Sequence, residues 1–174
     1  MMVIMAGLPG SGKTALAVEL AKRLSGTVVS KDTIRHTLFE ARDVEYSTEQ
    51  DDFCMEIMLQ TARYVLQKHP QRTVFLDGRT FSRSYQIQRV LDVAAELNQT
   101  WNILECRCSD QTARRRLESQ SRDRGHVAGN RDYPLYLEVK NYFEEITFPK
   151  TVINTDSPLD TSIAQALAAL SSSS

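Results

Sequence analysis

Near the amino terminus, the run Gly7-Leu8-Pro9-Gly10-Ser11-Gly12-Lys13-Thr14 constrains the fold of this chain more than any other stretch. It has the pattern G-x-x-x-x-G-K-[ST], whose expected context is a strand before it and a helix after it. Both are present. Val3 to Ala6 is apolar enough for a buried strand, and from Lys13 onward Leu16, Ala17, Leu20, Ala21 and Leu24 recur with helical period. Chance would produce such a match on the order of once in a few hundred chains of this length at average residue frequencies. Physically, the glycines let backbone N–H groups curl around anionic oxygens, the helix start adds partial positive charge, and Lys13 adds a full charge. The motif predicts that Gly7, Pro9, Gly10, Ser11, Gly12, Lys13 and Thr14 bind the phosphates of ATP, with the Thr14 hydroxyl on Mg²⁺.

The rest of the chain repeats the strand-then-helix rhythm. Thr27 to Ser30, Thr73 to Leu76, Trp101 to Cys106 and Thr151 to Asn154 read as further strands. Between them, helices are expected at Asp32 to Glu40, from Ser47 through Leu66, at Tyr85 to Asn98, at about Gln111 to Glu118, from Pro134 to about Ile146, and at Leu159 to Leu170. Ser47 and Gln50 have the spacing of a capping box. Ser119 to Tyr133 carries no apolar periodicity and is expected to be an exposed excursion, a lid over about residues 119–133. Five short strands alternating with helices imply an α/β fold of three layers, a five-stranded parallel sheet with helices on both faces. The expectation is one P-loop NTPase domain over 1–174. In such sheets ligands bind beyond the carboxyl ends of the strands, which places the chemistry on the loops after Ala6, Ser30, Leu76, Cys106 and Asn154.

Composition excludes several classes. With 41% apolar and 25% charged residues the chain is expected to be a soluble globular domain, without a membrane span. Met1 to Gly12 runs straight into the glycine loop without a basic leader, so it reads as a strand rather than a signal peptide. Three cysteines, Cys54, Cys106 and Cys108, fit no metal spacing and suggest reduced thiols in the cytoplasm. A formal charge of −1 gives no global attraction to nucleic acid. Oligomeric state is not legible.

Three further positions bear on what happens to the γ-phosphoryl group. Asp32 and Arg35 follow the second strand, three residues apart, so a helix places them on one face. Asp32 suits a general base and Arg35 a cation for an anionic group; Asp32 is equally suited to capping the helix, with Arg35 its solvated partner. Asp77 ends the third strand, either as a carboxylate near Thr14 and the metal or as the first residue of an Asp-Gly turn. Arg79, Thr80 and Arg83 follow it as weaker candidates. Leu76-Asp77-Gly78 holds one carboxylate rather than the acidic pair of motor ATPases, and Asn154-Thr155-Asp156 lacks the lysine of a guanine-reading loop. A small phosphotransferase remains. Residues 113–131 hold six arginines (Arg114, Arg115, Arg116, Arg122, Arg124 and Arg131) against Glu118 and Asp123. This segment reads as a lid whose Arg122 and Arg124 neutralise phosphoryl charge and whose Arg116 meets the nucleotide, as an anion- or RNA-binding surface, or as a solvated helix.

Four segments together resemble the small P-loop kinases of the zeta-toxin and polynucleotide-kinase type, often described as AAA-family ATP-binding proteins: residues 7–14, Val-Ser-Lys-Asp-Thr-Ile-Arg at 29–35, Val-Phe-Leu-Asp-Gly-Arg-Thr at 74–80, and the arginine-rich segment. The resemblance covers nearly the whole chain. It implies that Asp32 is the general base, that Arg35 contacts an acceptor phosphate, and that a lid arginine clamps the donor. Lys31 and Arg79 depart from the usual pattern and bear on the acceptor. The expectation is transfer from Mg-ATP to a hydroxyl of a small molecule through Lys13, Asp32, Arg35 and Arg122. The alternatives are a 5′-hydroxyl polynucleotide kinase and a non-catalytic nucleotide-binding regulatory module.

Overall fold

The computed structural model describes residues 1–122 and 132–172. Five strands, β1 (Met2–Ala6), β2 (Thr27–Ser30), β3 (Val74–Asp77), β4 (Trp101–Arg107) and β5 (Thr151–Asn154), pair in parallel in the order β2-β3-β1-β4-β5. Helices α1 (Lys13–Arg23), α2 (Lys31–Leu38), α3 (Thr48–Lys68), α4 (Ser84–Glu96), α5 (Asp110–Arg122), α6 (Tyr133–Tyr142) and α7 (Leu159–Ser171) connect and flank them. The expected three-layer α/β architecture is therefore the one observed.

Alternation along β1 builds two cores. Met2, Ile4 and Ala6 face one side, where α3 contributes Met55, Met58, Leu59, Ala62 and Leu66, and α4 contributes Ile87, Val90, Val93 and Ala94. Val3 and Met5 face the other, against Leu16, Ala17 and Leu20 of α1 and Ile163, Ala166 and Leu170 of α7. Because β1 is buried on both faces it reads as a continuous apolar run. A third, small cluster of Ala113, Leu117 and Tyr136 joins α5 and α6 beside Leu8.

Two helix ends differ from the sequence reading by about a full turn. α5 continues through Ser119 to Arg122, because the Ala113 and Leu117 stripe anchors its first turns and Arg114 pairs with Glu118 one turn on, at 2.7 Å; a helix that is polar on most faces leaves no apolar period to read. The expected excursion therefore does not begin at residue 119, and the part of it over residues 123–131 lies outside the described residues. α6 stops at Tyr142 instead of reaching Ile146. The Glu144 N–H donates to the Ser82 carbonyl at 2.9 Å, and its carboxylate accepts from Ser84 and Arg83, which turns the chain toward α4 and lets Ile146 enter the core. Ser47 does cap α3, accepting from the Gln50 N–H at 3.1 Å. The reciprocal half of the box is absent: the Gln50 amide reaches past the cap to the Glu45 N–H and the Asp43 carbonyl.

Register positions the site. Ser30 at the end of β2 lies beside Asp77 at the end of β3, and Ala6 at the end of β1 lies beside Glu105 in β4. The loops after β1, β2 and β3 therefore open at one level at the same edge of the sheet.

Candidate active site

The loop between β1 and α1 is built for an anion. Gly7 sits at φ 130°, and a Cβ there would fall 2.3 Å from the Cys106 carbonyl oxygen, so only glycine lets β1 turn this close to β4. The loop delivers its backbone to the start of α1, where Gly12 offers no side-chain cap and the first turn contains no acidic residue. First-turn N–H groups of a helix lack intrahelical acceptors. Here they face a loop that brings no competing carboxylate, which is what a polyphosphate needs.

Lys13 is buried, with 6% of its surface exposed. Its ammonium donates to the carbonyls of Gly7 and Leu8, both at 2.8 Å, and lies 3.5 Å from Ser11 Oγ. The charge is held inside the cradle by the loop's own oxygens. Arg116 braces the opposite wall: it donates to the Gly10 carbonyl at 3.3 Å and to the Thr155 carbonyl at 2.6 Å. The Thr155 hydroxyl in turn bonds the Ser11 carbonyl at 2.8 Å, a tie that the sequence reading did not anticipate.

Thr14 and Asp77 meet as expected. The Thr14 hydroxyl donates to Asp77 Oδ2 at 2.8 Å. Asp77 is 1% exposed, and its second oxygen, Oδ1, is buried without a hydrogen-bond partner. An unsatisfied buried carboxylate oxygen is costly, and a hydrated cation would satisfy it. Among the described residues no three His, Cys, Asp or Glu groups gather as a metal cluster. One carboxylate and one hydroxyl is a small oxygen donor set, and it fits Mg²⁺, which keeps most of its shell for water and phosphate oxygens.

Across Gly78 lies a second buried carboxylate, Asp32. Ser30 caps α2, accepting from the Thr33 N–H at 3.4 Å, so Asp32 is not the cap and its carboxylate is released for another task. Gly78, at φ 88°, makes the approach possible: a Cβ there would lie 2.9 Å from the Asp32 N and 3.2 Å from its Oδ2. Asp32 is buried and flanked by two cations, with Lys31 Nζ at 3.7 Å and Arg35 Nη1 at 3.6 Å. Arg35 is almost fully buried, ion-paired to Asp51 on α3 and stacked over Tyr46 at 5.0 Å. Lys31 shares the same Asp51 at 2.8 Å. Asp32, Arg35, Pro9 and Thr80 line one cavity of about 130 Å³.

The sequence thus located Asp32 and Arg35 but not Lys31, Asp51 or Tyr46 around them. Lys31 stood out only as a departure in the motif, and Asp51 reads in sequence as an ordinary acid in the first turn of a helix. Arg114 and Arg115 are exposed. The Arg122 side chain and Arg124 lie outside the described residues. His36 and His69 are exposed.

Residues 2–132 match the family described as an AAA domain. The chain belongs to the AAA-domain family. No curated protein matches it significantly. Among solved structures, this AAA-domain protein resembles Chaetomium thermophilum Kti12 in complex with ADP-AlF3, at a TM-score of 0.75 and 16% identity, covering 100% of both chains. It also resembles the Mycobacterium tuberculosis APS kinase CysC in complex with AMPPNP and APS, at 0.73 and 17%, covering 98% of this chain and 96% of that one. A gluconokinase from Sinorhizobium meliloti 1021 gives 0.71 and 12%, with 98% and 91% covered. At these identities the likeness is one of fold, the P-loop fold read from the topology.

Proposed function

We propose that this AAA-domain protein is an ATP-dependent phosphotransferase that moves the γ-phosphoryl group of Mg-ATP to a hydroxyl of a small molecule. The observation that carries the reading is the convergence of two buried carboxylates on either side of Gly78. Asp77 is tied to Thr14 with an orphaned oxygen, and Asp32 is freed from capping and held in a cavity next to the phosphate cradle.

Each residue then has a task. The backbone of residues 7–14 and the Lys13 ammonium hold the β- and γ-phosphates, with Arg116 and Thr155 keeping the loop in shape. Thr14 and Asp77 hold Mg²⁺, which when bound neutralises charge that builds on the phosphate oxygens. Asp32 accepts the proton of the acceptor hydroxyl as that oxygen attacks, and Arg35 orients the acceptor. Arg122 and Arg124 are kept as donor-side candidates because Arg122 ends α5, which packs against the loop at Gly10, and Arg124 comes two residues after it in sequence. The acceptor-side residues, with those of the loop, are the ones that resemble the zeta-toxin and polynucleotide-kinase group. A small acceptor is favoured over a polynucleotide because tight binding of a nucleic-acid backbone needs several cation–phosphate contacts, and Lys31 and Arg35 are already engaged by Asp51.

Transfer from γ-labelled ATP, screened against hydroxylated metabolites, antibiotics and oligonucleotides, tests the reading. Asp32→Asn is expected to keep ATP binding while transfer falls by roughly 10²-fold or more. Nucleotide binding with ATP turnover unchanged in Asp32→Asn would instead favour a regulatory module.

A further inference from the structure

Arg79 is a buried cation that the reading above does not use. It follows Gly78 directly, is 4% exposed, and makes one ion pair, Nη2 to Asp52 Oδ1 at 2.7 Å, with the Tyr85 hydroxyl 3.4 Å from the same nitrogen. Its other two nitrogens, Nε and Nη1, are buried with no hydrogen-bond partner. A guanidinium carries five N–H donors in a rigid fork that matches a tetrahedral or planar oxyanion. Burying it with two nitrogens unsatisfied is unfavourable unless something else completes it.

Arg79 lines a cavity of about 440 Å³, within the roughly 300–1,000 Å³ typical of small-molecule sites. That cavity and the smaller one at Asp32 share Asp51, Thr80 and Tyr142 as a common wall. The carboxylates nearby are largely committed: Asp51 to Lys31 and Arg35, and Asp52 to Arg79 itself. Glu138 adds a negative charge on the α6 side, and Arg83 a positive one. At about 130 Å³ the Asp32 cavity takes only the reacting end of a molecule. A molecule whose reacting end lies there can extend along the shared wall toward Arg79.

We infer that Arg79 is a specificity-determining residue whose fork binds an oxyanion of the acceptor, so that the substrate is a small molecule bearing a phosphate-like or carboxylate group some distance from the hydroxyl presented to Asp32. The inference rests on the phosphotransferase reading and adds the chemical class of its acceptor. Asp52 competes for the same guanidinium and holds Arg79 in place while the site is empty of acceptor.

The test uses the full chain saturated with Mg-AMPPNP, so that the cradle after β1 is filled, with inorganic phosphate titrated in and its Kd measured by calorimetry. Wild type is expected to bind phosphate at one site, Arg79→Gln to bind it at least about tenfold more weakly, and Arg79→Lys to fall between them because charge is kept and the fork lost. Asp52→Asn is expected to tighten binding. A strut with no ligand role would lower the melting temperature in Arg79→Gln and Asp52→Asn alike and leave the phosphate Kd unchanged, which overturns the inference. Should Arg79→Gln fail to fold, Arg79→Lys and Asp52→Asn carry the same comparison. Absence of AMPPNP binding overturns the phosphotransferase reading beneath it. AMPPNP binding with phosphate affinity indifferent to position 79 overturns the inference alone.

Discussion

Lys13 and Gly78 show how much a single residue decides in this site. The Lys13 ammonium satisfies two loop carbonyls at 2.8 Å, and removing it takes a full charge out of the cradle. Lys13→Ala is expected to keep the fold, since the β1–α1 packing is untouched, while affinity for Mg-AMPPNP drops at least about tenfold, the scale of a charge-assisted hydrogen bond. Circular dichroism beside equilibrium binding checks both halves. Gly78→Ala acts on the acceptor side instead. The left-handed backbone alone costs ~1–2 kcal/mol, and the new Cβ pushes against the Asp32 backbone. The expected result is nucleotide affinity close to wild type with phosphoryl transfer severely reduced, read by binding and single-turnover transfer on one preparation. Equal loss of both would contradict the division of the site at Gly78.

At the scale of elements, caps and pairings hold the side chains of the candidate site where they are. Ser47 caps α3, the helix that brings Asp51 and Asp52 to the cations of the acceptor side. Ser47→Ala is expected to cost ~1 kcal/mol, which for a domain of this size lowers the melting temperature by about 2–4 °C and is read by thermal denaturation. The strands, the helices and the phosphate loop were legible because each has a local cause: an apolar run, a 3.6-residue period, a glycine pattern in its required context. Asp32 was half legible. Its spacing to Arg35 was visible, but whether it capped α2 depended on Ser30, and only the structure shows the Ser30 hydroxyl taking that role. Asp51, Thr155 and the end of α6 were not legible, because each is fixed by a partner distant in sequence: Arg35 and Lys31, the Ser11 carbonyl, and Ser82 with Ser84. Arg79 was visible as a departure from a pattern, yet its burial and its single ion pair are tertiary facts.

For the whole molecule, two solution properties follow. Burial pushes the Cys106 thiol up to about 12, and Cys54 and Cys108 are also raised by burial. A thiol raised in the folded state stays protonated there while the unfolded chain ionises from about pH 8.5, so this contribution to stability is complete below that pH and is lost as pH rises toward 12. Denaturant midpoints are expected to fall between pH 8.5 and 11, and thiol reagents at pH 8 to react far more slowly with native than with unfolded protein. The second property concerns charge. With a formal net charge of −1 and a small acceptor, the acceptor KM should vary little between 50 and 200 mM salt, whereas a polynucleotide acceptor would make it rise by orders of magnitude. The most direct test of the central claim is calorimetric titration of Mg-AMPPNP into wild type, Lys13→Ala and Asp32→Asn. The account predicts one-to-one binding in wild type, retained in Asp32→Asn and lost or greatly weakened in Lys13→Ala; no binding by wild type, or equal affinity in all three, would contradict it.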